Sequence, residues 1–227
     1  MMTSNLLFGQ FYEVGDNLNV NARSGLNVRD EPGVEGSKVG FLEYGQKVKV
    51  SSKEFISKRD TFDNLEGGWI EIETGAMKGY VFDGFLTKLP MVKIDSQNTH
   101  WSTCLFEQIE AYARGNFSNI TKSNYDNGSD GEGAHSFTIF TSDKNYQFVE
   151  HGYTDCIARE LQIPNLRRSE GILLVKSFFQ NCNLLDDEIE RKIEKGGRQI
   201  IFQDDTTCIL NLKWVGNRMY FVIASSV

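Results

Sequence analysis

The sequence predicts an all-β small barrel followed by an α+β domain with an antiparallel sheet, and three observations support this prediction. Short segments of alternating apolar and polar residues, punctuated by glycine, fill residues 18–90 without a helical period. Beyond residue 95, strand-like and helical segments occur in separate groups, which favours a segregated α+β layer. The length of 227 residues accommodates two ordinary domains. We therefore assign an amino-terminal segment to residues 1–17, a barrel to 18–90 and a second domain to 95–227.

The first clear strand of the barrel is Leu26–Arg29. Its two apolar residues share one face and Asn27 and Arg29 share the other, which is the two-residue period of a strand with one buried side. Pro32 lacks a donor for a β-ladder, and the glycine after it accepts a positive φ. The chain is therefore expected to turn directly after this strand.

Further strands follow at short intervals. Lys47–Val50 alternates cleanly, and Trp69–Glu73 and Gly79–Phe82 alternate on either side of a turn at Gly75. Several short strands joined by glycine turns are typical of a small barrel that closes on itself and leaves no exposed edge.

Six motifs in a fixed order connect this barrel to a known family. They are Gly25–Arg29, Pro32-Gly33, Ser37–Gly40, Tyr44–Val48, Gly68–Ile70 and Gly79–Val81. In this order they resemble the bacterial SH3 (SH3b) domain over residues 18–89. The resemblance implies an SH3-like barrel that binds other molecules, and it suggests the cell envelope as the place of binding.

The chain departs from that family at Ser51–Gly68. This stretch is longer than the short hairpin the family usually needs here, and it contains Phe55, Ile56, Phe62 and Leu65. A long loop inside a compact domain is often a binding loop or a lid, although a packed surface flap is equally compatible with these residues. The sequence leaves both interpretations open.

Five side chains of the barrel are candidates for ligand contact: Arg29, Tyr44, Trp69, Tyr80 and Phe82. The aromatic rings offer a large flat surface at low entropic cost, which suits extended peptides or glycan-peptide polymers, and Arg29 can pair with a carboxylate. Trp69 and Tyr80 also occupy positions where a small barrel needs core filling. That structural role is the alternative for both.

The second domain contains helical and strand-like segments in separate groups, and no family resemblance covers it. Helices are expected at 100–114, 169–182 and 186–195. Strands are expected at 136–141, 146–150, 156–163, 199–203, 207–214 and 218–225. Between the first of these helices and the first of these strands, residues 115–134 contain a polar glycine-rich loop, which we expect at Asn124–Gly133.

The charge balance excludes one class of partner. With 31 acidic against 24 basic side chains the formal net charge is -7, which opposes attraction to phosphate backbones, so nucleic acid is not expected as a partner. The densest basic cluster, Arg167-Arg168 beside Lys176, is interpreted as a solvated helix start. No run approaches the roughly 18–20 apolar residues that a membrane span requires, so no transmembrane span is expected.

The prediction of the cellular compartment rests on two weaker features of the sequence. Asn5–Gln10 resembles the end of an export signal, although its apolar part is too short for a complete one. Four cysteines lie far apart in the second domain, without the pairing of a zinc site or a dense disulfide framework. They are Cys104, Cys156, Cys182 and Cys208. We expect buried free thiols, with disulfides as the alternative if the chain is exported, and a periplasmic or other extracytoplasmic location, with the cytoplasm as the open alternative.

Enzyme interpretations find little support. SH3b barrels often accompany cell-wall hydrolases, and Asp155-Cys156 resembles the start of the nucleophile motif of NlpC-type cysteine peptidases. That family's base follows its nucleophile, yet no histidine follows His151. A different geometry, in which Cys156 meets His100, His135 or His151, stays open. The histidines lack zinc-site spacing and Asp126–Gly131 only partly resembles a calcium loop, so we expect no catalytic residue, no metal and no cofactor.

These observations predict a non-catalytic two-domain binding protein. Its SH3b module is expected to recognise a cell-envelope peptide, a peptidoglycan fragment or a protein partner, and the second domain to add another interaction surface. Two alternatives remain: a cell-wall peptide hydrolase with an atypical site at Cys156 and a histidine of the second domain, and a cytoplasmic scaffold.

Overall fold

The computed structural model describes residues 12–92, 101–126, 135–153, 156–184, 190, 193, 200–203 and 207–226. Contacts divide the chain into two compact units. The first holds the described residues up to Met91 together with Arg167–Leu173, and the second holds those of Val92–Leu166 and Leu174–Val227. Three predicted features lie mostly outside the described residues. They are the segment 1–17, the helix at 186–195 and the partial calcium loop at Asp126–Gly131.

The strands of the first unit form an antiparallel sheet. They are β1 (Asn17–Val20), β2 (Leu26–Arg29), β3 (Lys38–Leu42), β4 (Lys47–Ser52), β5 (Arg59–Phe62), β6 (Leu65–Thr74), β7 (Met77–Phe82) and β8 (Leu86–Thr87). Within the described residues they follow the order β3-β2-β7-β6-β4-β1-β8, with β5 paired to β6, so this is an eight-stranded sheet. The prediction of an all-β amino-terminal region is confirmed, and the sequence prediction did not include the strands β1, β3, β5 and β8.

Alternation along the strands builds one apolar core. In β2 the buried and exposed positions alternate as predicted, with Leu26 and Val28 inside. Burying side chains of this size contributes about 1.5–3 kcal/mol each. The core of the unit consists of Tyr12, Leu18, Val20, Ala22, Leu26, Val28, Leu42, Val48, Val50, Ile70, Ile72, Val81 and Leu86.

Residues 51–68 form a packed flap that includes a hairpin. β5 pairs with the start of β6, and the two residues between them, Asp63 and Asn64, have φ of 49° and 57°. Two successive positive φ values are typical of the type I′ turn that closes tight hairpins. A Cβ on Gly68 would lie 2.1 Å from the carbonyl oxygen of Ile56, so glycine allows the flap to approach β6 this closely.

A buried arginine joins Arg167–Leu173 to the rest of the first unit. Arg167 donates a hydrogen bond of 2.7 Å to the carboxylate of Asp83, and its guanidinium carbon lies 4.1 Å from the ring centroid of Tyr12. The exposed fractions of the Arg167 and Asp83 side chains are 11% and 1%. The interpretation of Arg167-Arg168 as a solvated helix start is therefore wrong for Arg167, because its charge is neutralised inside the unit.

This cluster shifts the pKa of a tyrosine. Tyr12 is buried and donates its hydroxyl proton to the carbonyl oxygen of Leu86 at 2.6 Å. Burial is the largest cause that raises the pKa of Tyr12 well above 10.0, and the negative charges of Glu170 and Asp83 raise it further, while Arg167 opposes them. The phenol is therefore held in its neutral form.

The second unit contains an antiparallel sheet of seven strands among its described residues. They are β9 (Thr121–Asp126), β10 (His135–Thr141), β11 (Gln147–Tyr153), β12 (Cys156–Pro164), β13 (Ile200–Gln203), β14 (Thr207–Val215) and β15 (Arg218–Ser226). Their order is β13-β14-β15-β12-β11-β10-β9. The described helices of the chain are α1 (Trp101–Asn116) and α2 (Arg168–Asn181). The unit is rich in sheet and has few helices among these residues, so the predicted label α+β describes it only loosely.

The helical segments of the second unit cover one face of its sheet. Phe178 of α2 stacks on Phe221 of β15 with ring centroids 6.0 Å apart, and Tyr112 of α1 packs edge-on against Phe178 at 5.5 Å. Arg159 of β12 forms an ion pair of 2.6 Å with Glu110 of α1. Because side chains alternate along a strand, residues 158 and 160 of β12 point to the opposite face.

One segment of the second unit differs from its prediction. The predicted loop was expected to begin at Asn124, but Asn124–Asp126 belong to the edge strand β9, which pairs with β10 from Thr121↔Thr141 to Asp126↔Ser136. All six residues are exposed. An edge strand with few neighbours does not need the apolar alternation on which the prediction relied.

The cysteines also differ from the prediction of buried free thiols. Cys104 and Cys182 form a disulfide that links α1 to the residue after α2, with Cα atoms 5.7 Å apart. Cys156 is a free, half-buried thiol, and the side chain of Cys208 lies outside the described residues. None of the described helices combines the length and the apolar character needed to cross a lipid bilayer.

Candidate functional site

Four aromatic rings gather on the face of β6 and β7 that the core does not use. Trp69 and Phe82 are cross-strand partners, and their ring centroids lie 6.2 Å apart. Phe62 from the flap packs edge-on against Phe82 at 4.7 Å, and Phe85 packs on the same ring at 5.5 Å. The flap therefore completes an aromatic cluster that the sheet alone would leave open.

A cavity of about 250 Å³ opens beside this cluster. Its apolar floor includes Leu26, Trp69 and Phe82, which are 8%, 3% and 2% exposed. Its lining residues are Ala22, Ser24, Gly25, Leu26, Asn27, Arg29, Val34, Phe62, Asp63, Trp69, Phe82 and Phe85. The lining thus combines apolar and aromatic side chains with polar groups, and this combination is typical of sites that bind a small group or a side chain.

Arg29 is the predicted residue best placed to contact a ligand in this cavity. It lies where the register of β2 against β3 shifts, between Val28 and Arg29, and a bulge of this kind redirects a side chain. Its Nη1–H donates to the carbonyl oxygen of Gly36, which fixes the guanidinium. Within the described residues no carboxylate forms an ion pair with Arg29.

Trp69 and Phe82, which were also predicted as site residues, line the same cavity and form part of its floor. Both side chains are almost fully buried, and the indole Nε1–H of Trp69 donates to Asp60 of the flap at 2.5 Å. They therefore offer a ring surface at the cavity floor, and they also fill space, which was the structural alternative for Trp69.

The structure does not bring Tyr44 and Tyr80 to this cavity. The ring of Tyr44 lies 5.2 Å from the guanidinium carbon of Arg23, and its hydroxyl is buried without a hydrogen-bond partner. Tyr80 packs edge-on against Phe55 of the flap at 5.6 Å. A ligand-binding role for these two residues stays a prediction.

Several lining residues were not candidates in the sequence prediction. Phe62 and Asp63 come from the flap, Val34 from the turn after β2, and Phe85 from the short 3-10 turn Asp83–Phe85. The hairpin signal was present in the sequence, because Asp63 and Asn64 stand between two apolar residues. The contribution of Val34 depends on the path of a loop and has no comparable signal.

The cavity lies within a segment with a recognised family. Residues 24–87 match the bacterial SH3 domain family. The resemblance predicted from the ordered motifs is therefore confirmed for this segment, and no family is recognised in the rest of the chain. A comparison with curated proteins finds no match. All the residues that line the cavity lie inside this matched range, apart from Ala22 just before it.

Outside the bacterial SH3 segment, a histidine pair lies on the face of the second sheet opposite α1. His135 Nε2 and His151 Nδ1 are 3.1 Å apart, and His151 Nε2 lies 3.3 Å from a carboxylate oxygen of Glu160. The ring of Tyr153 stacks on His135 at 4.2 Å. This carboxylate orients His151, as in many acid-base sites, but within the described residues no hydrogen bond joins Cys156 to a histidine.

Metal ligands do not come together either in the part of the chain that the structure describes. No group of three or more His, Cys, Asp or Glu side chains suited to a metal ion occurs in the described parts of the chain. His100 lies outside those parts. The predicted site between Cys156 and a histidine therefore stays an untested alternative.

Proposed function

We propose that the chain is a non-catalytic binding protein, and that the cavity of its bacterial SH3 segment holds part of a peptide of the cell envelope. The observation that carries the proposal is the cavity itself, with an apolar aromatic floor and the fixed guanidinium of Arg29 at one side. This combination suits a ligand with an apolar group next to an anionic group.

The cell envelope as the target rests on the family resemblance. The segment matches bacterial SH3 domains, which are binding modules that often accompany cell-wall hydrolases. The disulfide between Cys104 and Cys182 agrees with an oxidising compartment, where such bonds persist. Both observations support our proposal that the protein lies outside the cytoplasm, in the periplasm or beyond. Fractionation of the producing cell tests this location, and recovery in the cytoplasmic fraction would favour the scaffold alternative.

Retention on purified peptidoglycan tests the binding function. We expect the full chain to be retained at low salt, and Phe62→Ala and Arg29→Gln to reduce retention, because each removes a lining group of the cavity. Two controls are matched to these variants. Lys47→Gln removes one exposed positive charge of the same unit away from the cavity, and Tyr125→Ala removes a ring that is 61% exposed in the second unit.

The outcomes separate the possibilities. Retention that falls with the two cavity variants and not with the two controls supports the proposal. Absence of retention at low salt, or an equal loss in all four variants, counts against it. The second unit is proposed to add a further interaction surface, and its sheet-rich architecture with antiparallel strands is compatible with that role.

A further inference from the structure

Arg29 is a positively charged group that is held in place and has no carboxylate partner among the described residues. One of its nitrogens is bound by Gly36, and within the described residues no ion pair uses the remaining N–H groups. A guanidinium carries five donors in a planar fork, so donors remain for a planar anion. Because Arg29 is half-buried and lines the cavity, such an anion would be bound next to the aromatic floor.

The size of the cavity limits the ligand. About 250 Å³ is below the roughly 300–1,000 Å³ typical of sites that enclose a whole small molecule. It accommodates one side chain with the atoms attached to its Cα. The terminal residue of a peptide, with its side chain, its carboxylate and its amide, is a ligand of this size.

A second charged group lines the same cavity. Asp63 is exposed at the tip of the flap hairpin, and it has no hydrogen bond or ion pair to another described residue. A carboxylate there repels a phosphate dianion and accepts a hydrogen bond from an amide N–H. The net charge of -7 acts in the same direction against highly charged anions.

We infer that the cavity recognises the free carboxyl terminus of a peptide. Arg29 binds the terminal carboxylate, the floor formed by Leu26, Trp69 and Phe82 receives the terminal apolar side chain, and Asp63 accepts the amide N–H of the same residue. The three kinds of lining group thus correspond to the three substituents of one terminal Cα. This inference rests on the proposed binding function and specifies its ligand.

A competition experiment with the full chain tests the inference. The chain is bound to purified peptidoglycan and displaced with the soluble peptide N-acetyl-Lys-D-Ala-D-Ala, in its free-carboxylate form and as the isosteric carboxamide. We expect the carboxylate form to displace the chain at a concentration at least about tenfold lower than the carboxamide form needs, since hydrogen bonds between charged groups are stronger than neutral ones. Arg29→Gln should abolish this preference, and Lys47→Gln should retain it.

Failure of the inference is distinguishable from failure of the proposed function. If the chain is retained on peptidoglycan but the two peptide forms displace it equally, or neither displaces it, the carboxyl-terminal specificity is overturned and the binding function stands. If the chain is not retained, both are overturned. A preference for the carboxylate that survives in Arg29→Gln would also overturn the role assigned to Arg29.

Discussion

The indole of Trp69 donates a hydrogen bond of 2.5 Å to the carboxylate of Asp60, nine residues earlier in the chain. Asp60 belongs to the flap strand β5 and Trp69 to β6, so this bond holds the flap against the aromatic cluster beneath it. The flap in turn supplies Phe62 and Asp63 to the cavity. The hydrogen bond between Trp69 and Asp60 is therefore one of the contacts that link the order of the flap to the shape of the candidate site.

Removal of this bond should loosen the flap. We expect Asp60→Ala to destabilise the first unit by about 1.5–3 kcal/mol, the range for a hydrogen bond to a charged group, and to accelerate hydrogen exchange of the Trp69 indole N–H in NMR spectra. Asp60→Asn keeps an acceptor and should have a smaller effect. Indole exchange that is unchanged in Asp60→Ala would show that other contacts hold the flap.

The buried ion pair between Arg167 and Asp83 should be essential to the first unit. Arg167→Met leaves the carboxylate of Asp83 without its charge partner in a site where that side chain is 1% exposed, so we expect a loss of about 3–5 kcal/mol. Arg168→Met is the matched control, because the neighbouring arginine is exposed and should change stability by about 0.5 kcal/mol or less. Hydrogen exchange of β7 and β8 measures the effect, and equal protection in both variants would contradict it.

The raised pKa of Tyr12 makes stability depend on alkaline pH. The folded phenol stays protonated, while the tyrosine of the unfolded chain ionises near pH 10.0. The contribution of Tyr12 to the free energy of unfolding is therefore fully present below pH 10.0 and declines above it by about 1.4 kcal/mol per pH unit. Other groups titrate in the same range, so the relevant quantity is the difference between the wild type and Tyr12→Phe. Denaturant unfolding between pH 8 and pH 11 should show a shallower decline in Tyr12→Phe, and parallel curves would contradict the assignment.

The disulfide should stabilise the second unit. Cys104 and Cys182 close a loop with a sequence separation of 78, and its loss should cost about 2–4 kcal/mol. Cys104→Ser combined with Cys182→Ser removes it, and Cys156→Ser is the control, because Cys156 is a free thiol. Thiol alkylation of the denatured, unreduced protein should leave Cys104 and Cys182 unmodified. Labelling of both would show that the bond does not form in solution.

Local patterns of apolar and polar residues predicted much of this fold. The features that were not predicted depend on exposure at a sheet edge or on contacts between distant residues. The strands at 26–29 and 79–82 were predictable because one buried face imposes alternation on a short segment. Strand β9 was missed because an exposed edge strand carries no such alternation. The burial of Arg167 depends on Asp83, 84 positions away, so no local signal distinguishes it from its exposed neighbour Arg168.

The candidate site was predictable to a similar extent. Arg29, Trp69 and Phe82 were chosen for their side-chain chemistry, and all three line the cavity. Tyr44 and Tyr80 share the same residue chemistry but lie elsewhere on the unit, since composition does not determine which rings converge. Val34 and Asp63 reach the cavity through a turn and a flap whose paths depend on tertiary packing.

An NMR titration shows whether the cavity of the first unit binds a peptide of the cell envelope. The ¹⁵N-labelled full chain is titrated with soluble muropeptides released from peptidoglycan, and the Trp69 indole and the backbone amides of Arg29, Phe62 and Asp63 are followed. We expect concentration-dependent shifts at these four positions that disappear in Arg29→Gln and persist in Lys47→Gln. Spectra without shifts, or with shifts confined to the second unit, would contradict this expectation.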